Sequence, residues 1–136
     1  MRALKVEDYN KFVSVVDPQF SPDGKYVAFV TVKVDDKKDD YMMNLWVISS
    51  ETGEVILTTE GPKDSWPRWS PDGKRLLFLS RRTLKAGEEG NELWILSLAG
   101  GEPQMILKLK GGISRPMWSP DGRHILFLSR VFEEGY

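Results

Sequence analysis

The sequence has 136 residues, with 19 Lys and Arg against 20 Asp and Glu, which gives a net charge of -1. With 40% hydrophobic and 29% charged residues, the composition is that of one ordinary soluble domain. The cationic residues are scattered, so nothing supports nucleic-acid binding. No apolar run approaches the roughly 18 to 20 residues of a membrane span, and the first residues lack a signal-peptide core. We therefore expect a cytoplasmic protein with no membrane partner.

The residue types that are absent limit the chemistry further. With no Cys and a single His, His124, the sequence excludes most thiol and metal chemistry. Asn occurs three times and Gln twice beside many Lys and Glu residues, which leans toward a heat-adapted source, although five Met residues run against that trend.

The first residues have a helical pattern. Val6, Tyr9, Val13 and Val16 recur at spacings of three and four, and acidic residues follow Val6. This predicts a short amphipathic helix over residues 6–13. Its apolar face would cover either the first repeat or a domain that this chain lacks.

An internal repeat dominates the rest of the chain. Its motif occurs three times, 49 residues apart, as Pro18-Gln-Phe-Ser-Pro-Asp-Gly-Lys25, Pro67-Arg-Trp-Ser-Pro-Asp-Gly-Lys74 and Pro116-Met-Trp-Ser-Pro-Asp-Gly-Arg123. A second block occurs twice, as Asn44-Leu-Trp-Val-Ile-Ser49 and Glu92-Leu-Trp-Ile-Leu-Ser97. The chain therefore repeats a structural unit and not only a short motif.

Each unit is predicted to contain four short antiparallel strands. Pro, Asp and Gly of the motif suit tight hairpin turns, at residues 22–24, 71–73 and 120–122. The strands that follow, residues 26–30, 76–79 and 125–128, are continuously apolar, which indicates burial on both faces. The third strands, residues 45–48 and 93–96, share this pattern, whereas residues 104–110 alternate as a half-exposed fourth strand does.

This pattern predicts an all-β fold, a partial β-propeller of about two and a half four-stranded blades preceded by the short helix. The helical lead-in covers residues 1–16, blade 1 residues 17–65, blade 2 residues 66–114, and the first half of blade 3 residues 115–136. Propellers close with about four to eight blades. We therefore expect either a longer protein or self-association through the exposed blade edges.

No catalytic, cofactor-binding or metal-binding residue is predicted. Ser114, in Gly112-Ile-Ser-Arg-Pro116, lacks the second Gly of a nucleophile elbow and is read as a strand residue. His124 is read as an exposed strand residue after the turn. The acidic run from Asp35 to Asp40 is interrupted by Lys and is read as a solvated loop.

The motifs resemble two groups of propellers, the TolB-like proteins and the prolyl oligopeptidase family of serine peptidases. Val6-Glu-Asp-Tyr-Asn-Lys-Phe-Val13, Val16-Asp-Pro-Gln-Phe-Ser-Pro-Asp-Gly24, Asn44-Leu-Trp-Val-Ile48 and Thr52-Gly-Glu54 are similar to the N-terminus of acylaminoacyl-peptidases. The resemblance covers essentially the whole chain.

The resemblance implies a propeller, commonly of about seven blades, that restricts access of short acylated peptides to a C-terminal α/β-hydrolase domain. That domain would carry the Ser, Asp and His of the active site, so this chain alone is expected to be inactive and to need no cofactor. Two alternatives stay open: a TolB-like protein-interaction module, and a small repeat protein that assembles into a ring from several copies.

Overall fold

The computed structural model describes residues 13–35 and 40–131. Ten β-strands account for most of these residues, and this part of the chain contains no helix long and apolar enough to cross a membrane. The strands are β1 (Val13–Phe20), β2 (Tyr26–Asp35), β3 (Asp40–Ser49), β4 (Val55–Thr58), β5 (Ser65–Trp69), β6 (Arg75–Ser80), β7 (Glu92–Ser97), β8 (Gln104–Leu107), β9 (Ser114–Trp118) and β10 (Ile125–Leu128).

The strands form three antiparallel sheets. Two sheets have four strands each, in the orders β1-β2-β3-β4 and β5-β6-β7-β8, and the third pairs β9 with β10. Each strand therefore pairs with its neighbour in sequence, as in propeller blades. The predicted all-β propeller fold is confirmed.

The repeated motif forms the hairpin that joins the first two strands of each sheet. In the first unit the Ser21 hydroxyl donates to Asp23 Oδ1 at 2.7 Å, and the backbone N–H of Lys25 donates to the same oxygen at 2.9 Å. The same two bonds recur at Asp72 and Asp121, and the glycine of each turn has a φ of 73° to 75°. The predicted hairpin turns are confirmed.

The hydrophobic core lies between the sheets. Strand β6 contributes to both layers, since Leu76 and Phe78 pack toward the first sheet while Leu77 and Leu79 pack toward the third. Their partners are Ala28, Val30, Leu45 and Val47 on one side and Leu93 and Ile113 on the other. Burial of β6 on both faces, which its continuous apolar run predicted, is confirmed.

Tryptophan side chains join neighbouring sheets by hydrogen bonds. The indole N–H of Trp69 donates to the carbonyl oxygen of Gln19 at 2.9 Å, and that of Trp118 donates to the carbonyl oxygen of Arg68 at 2.9 Å. Phe20 occupies the equivalent position in the first unit and has no such donor. The repeated aromatic position therefore fixes the relative placement of successive blades through a directional bond as well as through packing.

Two sequence predictions need correction. Strand β10 is not buried on both faces, since Leu126 and Leu128 are 72% and 56% exposed. Only the second sheet packs against it within the described residues. The predicted helix falls mainly on residues 6–12, which lie outside the described residues. Its last position, Val13, opens β1, and Val16, assigned to the same helical face, also lies in that strand.

The two polar stretches between the second and third strands differ in structure. In the first unit β2 and β3 are ten residues each, and they stay paired out to Asp35 and Asp40. In the second unit β6 and β7 are six residues each, and residues 81–91 form a loop. The loop of the second unit is therefore free to reach the connection between β8 and β9.

Candidate functional site

The first strand of each sheet lies on the side where the three sheets converge. Strand β1 lies against β5, and β5 lies against β9. Propeller blades are arranged around a central channel, and converging strands are the ones that face it. The side chains of β1, β5 and β9 are therefore the ones in position to line a channel.

Each of these inner strands contains one residue with left-handed backbone geometry. The residues are Asp17, Trp66 and Arg115, with φ angles of 53°, 59° and 50°, and each precedes a proline. A non-glycine residue in this region costs about 1 to 3 kcal/mol. The strain coincides with a β-bulge in every pair of first and second strands, and bulges redirect side chains.

The redirected side chains of the first two units form a connected group. Arg68 donates to Asp17 Oδ2 at 2.8 Å, and its guanidinium lies 3.8 Å from the centroid of the Trp66 ring. Gln19 donates to the other oxygen of Asp17 at 2.9 Å, and the Trp66 indole donates to the carbonyl oxygen of Pro116 at 2.9 Å. The group links all three inner strands.

Arg115 differs from these residues. Its side chain is exposed, and its guanidinium has no hydrogen bond or ion pair within the part of the chain that the structure describes. Within the described residues, Arg68 is paired with a carboxylate on the inner strands, whereas Arg115 has no such partner.

Two buried carboxylates lie at the ends of the strands that are opposite to the hairpin turns, and they bind the loops there. Asp64 accepts hydrogen bonds from Ser80 at 2.6 Å, from Arg82 at 2.8 Å and from the backbone N–H of Gly61 at 3.1 Å. Glu92 accepts from the backbone N–H and the hydroxyl of Thr83 and from the Trp94 indole. Among the described residues no buried side-chain nitrogen or oxygen lacks a partner. These carboxylates therefore fix loops in place and are not available as bases.

The candidate residues considered in the sequence do not lie together as an active site. Ser114 opens β9 and pairs with Leu128, as expected of a strand residue. His124 is exposed as expected, but it precedes β10 and does not lie in it. Asp35 and Asp40 end and begin strands, so they do not lie in a loop, and residues 36–39 lie outside the described residues. The described residues contain no cluster of three or more potential metal ligands.

The inner-strand group was missed by the sequence analysis. Asp17, Trp66 and Arg115 each precede the proline that begins the repeated motif, so they occupy one repeat position with three different chemistries. A position that varies among the three repeats, next to a proline that all three share, was the sequence signal that could have indicated this group. The left-handed geometry itself could not be read from the sequence, because a residue before proline ordinarily adopts an extended conformation.

The architecture is that of a β-propeller, and comparison with known proteins agrees with it. The family model of the TolB beta propeller domain, PD40, matches residues 13–132, so the chain belongs to this family. Uncharacterized peptidase YuxL of Bacillus subtilis (strain 168) is 41% identical over 115 residues, which cover 84% of this chain. The chain spans 17% of the length of that relative.

Solved structures identify the kind of propeller more closely. Pyrococcus horikoshii acylaminoacyl peptidase matches 94% of this chain with a TM-score of 0.76 and 25% identity, and the match covers 19% of that protein. The β-propeller domain of the Trilobed protease from Pyrococcus furiosus matches 87% of this chain with a TM-score of 0.70 and 26% identity, covering 34% of that chain. The resemblance to acylaminoacyl-peptidase propellers is confirmed.

Proposed function

We propose that this chain is the propeller part of an acylaminoacyl-peptidase-like serine peptidase, and that it restricts access of short acylated peptides to a hydrolase domain outside this chain. The observation that carries the proposal is the match of 94% of the chain to an acylaminoacyl peptidase of which it covers 19%. The catalytic residues are then expected in the remainder of the protein.

The inner-strand group supports the gating part of this proposal. A gate needs a defined aperture, and the ion pair between Asp17 and Arg68 ties β1 to β5 at the converging side. Both side chains are about a quarter exposed, at 26% and 23%, so the pair is partly shielded from solvent. The Trp66 ring lies 3.8 Å from the Arg68 guanidinium and adds a cation–π contact to the pair.

The experiment compares short and long acylated substrates. The full-length protein that carries this chain is assayed with an N-acetyl-alanyl chromogenic substrate and with N-acetylated peptides of increasing length. We expect the short substrates to be hydrolysed and kcat/KM to fall steeply as the peptide becomes longer. A serine-directed inhibitor should abolish the hydrolysis. The 136-residue chain alone is expected to release no product.

Removal of the inner ion pair tests the gate directly. Arg68→Ala is expected to raise kcat/KM for long peptides several-fold relative to short ones, because β1 and β5 lose their charged link. Lys74→Ala, an exposed change in the hairpin turn, is the matched control and should leave the ratio unchanged. An unchanged ratio in Arg68→Ala would refute the gating role, and absence of any hydrolysis by the full-length protein would refute the peptidase assignment.

A TolB-like interaction module is the second candidate, because the family model that matches is the TolB propeller domain. It predicts no acylpeptide hydrolysis by the full-length protein and stable capture of a protein partner. We also propose two further properties of the protein. Self-association through the open faces that carry Phe20 and Leu126 would be measured by light scattering, and cytoplasmic location by cell fractionation.

A further inference from the structure

A cavity of about 840 Å³ lies where the second and third sheets meet, at the ends of the strands away from the hairpin turns. Its walls come from the loop after β6, the connection between β8 and β9, and the end of β10. Three glycines, Gly90, Gly111 and Gly112, lie on this wall. Ser114, the first residue of the inner strand β9, also lines it, so the cavity adjoins the proposed channel.

Close backbone packing requires these glycines. A Cβ atom on Gly90 would lie 2.6 Å from Gly112 Cα, and one on Gly112 would lie 2.9 Å from Gly90 Cα. A Cβ on Gly111 would overlap the carbonyl oxygen of Arg130. Gly90 and Gly112 also have φ angles of 95° and 73°. The three segments are thus held in direct backbone contact along this wall.

The repeat does not account for this arrangement. The residues 49 positions before Gly111 and Gly112 are Pro62 and Lys63, and Met42 lies 48 positions before Gly90. The first unit builds the same blade without any of the three glycines. The glycine wall is therefore a local feature of the second and third units, and the fold alone does not explain it.

The cavity lining is polar and carries more cationic than anionic groups. Three cationic side chains and one carboxylate line it, and two further polar side chains have no side-chain hydrogen bond within the described residues. The cations are Arg81, Lys110 and Arg130, the carboxylate is Glu89, and the polar side chains are Asn91 and Ser114. Guanidinium groups and neutral donors together suit a carboxylate ligand.

We propose that this cavity binds the α-carboxylate of a short N-acylated peptide, an inference that rests on the proposed function. Acylation removes the charge of the amino end, so the α-carboxylate is the one charge that every such peptide retains. A cationic cavity beside the inner strand would hold that end of the peptide while the acylated end remains free to reach the hydrolase domain.

Binding is tested without turnover. The full-length protein is titrated by calorimetry with N-acetyl-D-Ala-Ala-Ala, whose first residue resists hydrolysis, and with the same peptide as its C-terminal amide. Loss of the charge-assisted hydrogen bonds predicts at least about tenfold weaker binding of the amide. A third peptide, an amide with a Glu side chain in place of the second Ala, separates an α-carboxylate site from a general anion site.

Variants of exposed cations give the residue-level test. Arg81→Gln and Arg130→Gln are each expected to weaken binding of the acid about tenfold and to leave binding of the amide unchanged. Arg123→Gln, in the hairpin turn at the other end of β9 and β10, is the matched control and should bind like the unmodified protein. Thermal unfolding of each variant checks that it is folded.

Each result decides the assignment. Equal binding of acid and amide, equal binding of the Glu-containing amide, or an equal effect of Arg123→Gln would overturn it. The outcome is independent of the peptidase assignment, because a preference for the acid that depends on Arg81 and Arg130 would stand even if the protein hydrolysed no acylated substrate. Conversely, hydrolysis without any preference for the acid would refute the carboxylate site and leave the proposed function intact.

Discussion

Replacement of Asp64 by Ala is expected to be among the most destabilising single changes in the described residues. The carboxylate is fully buried and serves three donors on different segments: Ser80, Arg82 and the backbone N–H of Gly61. Its loss orphans the buried Gly61 N–H, which costs about 1 to 3 kcal/mol. It also removes a charge-assisted pair worth about 1.5 to 3 kcal/mol. The two terms together give about 2.5 to 6 kcal/mol, which brackets the about 3 to 5 kcal/mol expected for breaking a buried ion pair.

The third unit supplies a natural control for this change. The residues 49 positions after Asp64 and Arg82 are Ile113 and Val131, and the serine equivalent to Ser80 is Ser129. Ser129 donates to the carbonyl oxygen of Gly112 at 2.6 Å, so the hydroxyl finds a backbone acceptor when the aspartate is absent. The double variant Asp64→Ile with Arg82→Val is therefore expected to cost less than Asp64→Ala, about 1 to 3 kcal/mol, chiefly from the Gly61 N–H.

Urea unfolding followed by tryptophan fluorescence measures these differences. The four proteins of the cycle, namely the unmodified protein, Asp64→Ile, Arg82→Val and their double variant, give the coupling energy between the two positions. We expect a coupling of about 1.5 to 3 kcal/mol. A cost below about 1 kcal/mol for Asp64→Ala, or a double variant whose cost equals the sum of the singles, would refute a structural role for this pair.

Two further predictions concern the repeated motif. Hydrogen bonds hold the pKa of the turn aspartates below its ordinary value of 3.8, with the Lys25 N–H the main cause at Asp23 and the serine hydroxyl the main cause at Asp72 and Asp121. A lowered folded-state pKa stabilises the fold above pH 3.8, and this contribution is lost as the pH falls through the folded-state pKa. Changing all three aspartates to Asn should therefore flatten the decline of the free energy of unfolding in acid. Urea unfolding from about pH 2 to 5 measures this decline. If the slope is unchanged, the turn bonds do not favour the ionised form. Trp69→Phe removes the inter-sheet bond to the Gln19 carbonyl and should cost about 0.5 to 1.5 kcal/mol beyond the lost contact area, judged against Trp46→Phe, whose indole bonds within one sheet; equal costs would show that the inter-sheet bond adds nothing.

The repeat made the backbone predictable because each of its signals acts locally. Pro, Asp and Gly specify the hairpin within a few residues, and the apolar run that follows specifies the buried strand. The same reasoning failed for Leu126 and Leu128 in β10, because burial depends on what packs against a strand and not on the strand's own sequence. The helix prediction was wrong at Val13 and Val16 for a related reason. Residues at spacings of three suit a helix, but pairing with β2 places both valines in a strand.

Side-chain chemistry at the inner strands was less predictable, since it depends on contacts between units. Arg68 and Asp17 are 51 residues apart in sequence, and the bond between the Trp66 indole and the Pro116 carbonyl spans 50 residues. The repeat spacing of 49 could have suggested which units meet. It could not show that a bulge turns these residues toward their neighbours.

The three residues with left-handed backbone geometry show that the fold determines the backbone at this position but not the side chain. Because Asp17, Trp66 and Arg115 share the same backbone geometry, the bulge before each proline belongs to the repeat and is a sufficient reason for the strain. Their side chains share nothing, so the repeat does not select them. An acid, an aromatic ring and a guanidinium group thus occupy equivalent places on the converging strands. In the proposed gating role, the rigid backbone would keep the aperture constant while the side chains differ from blade to blade.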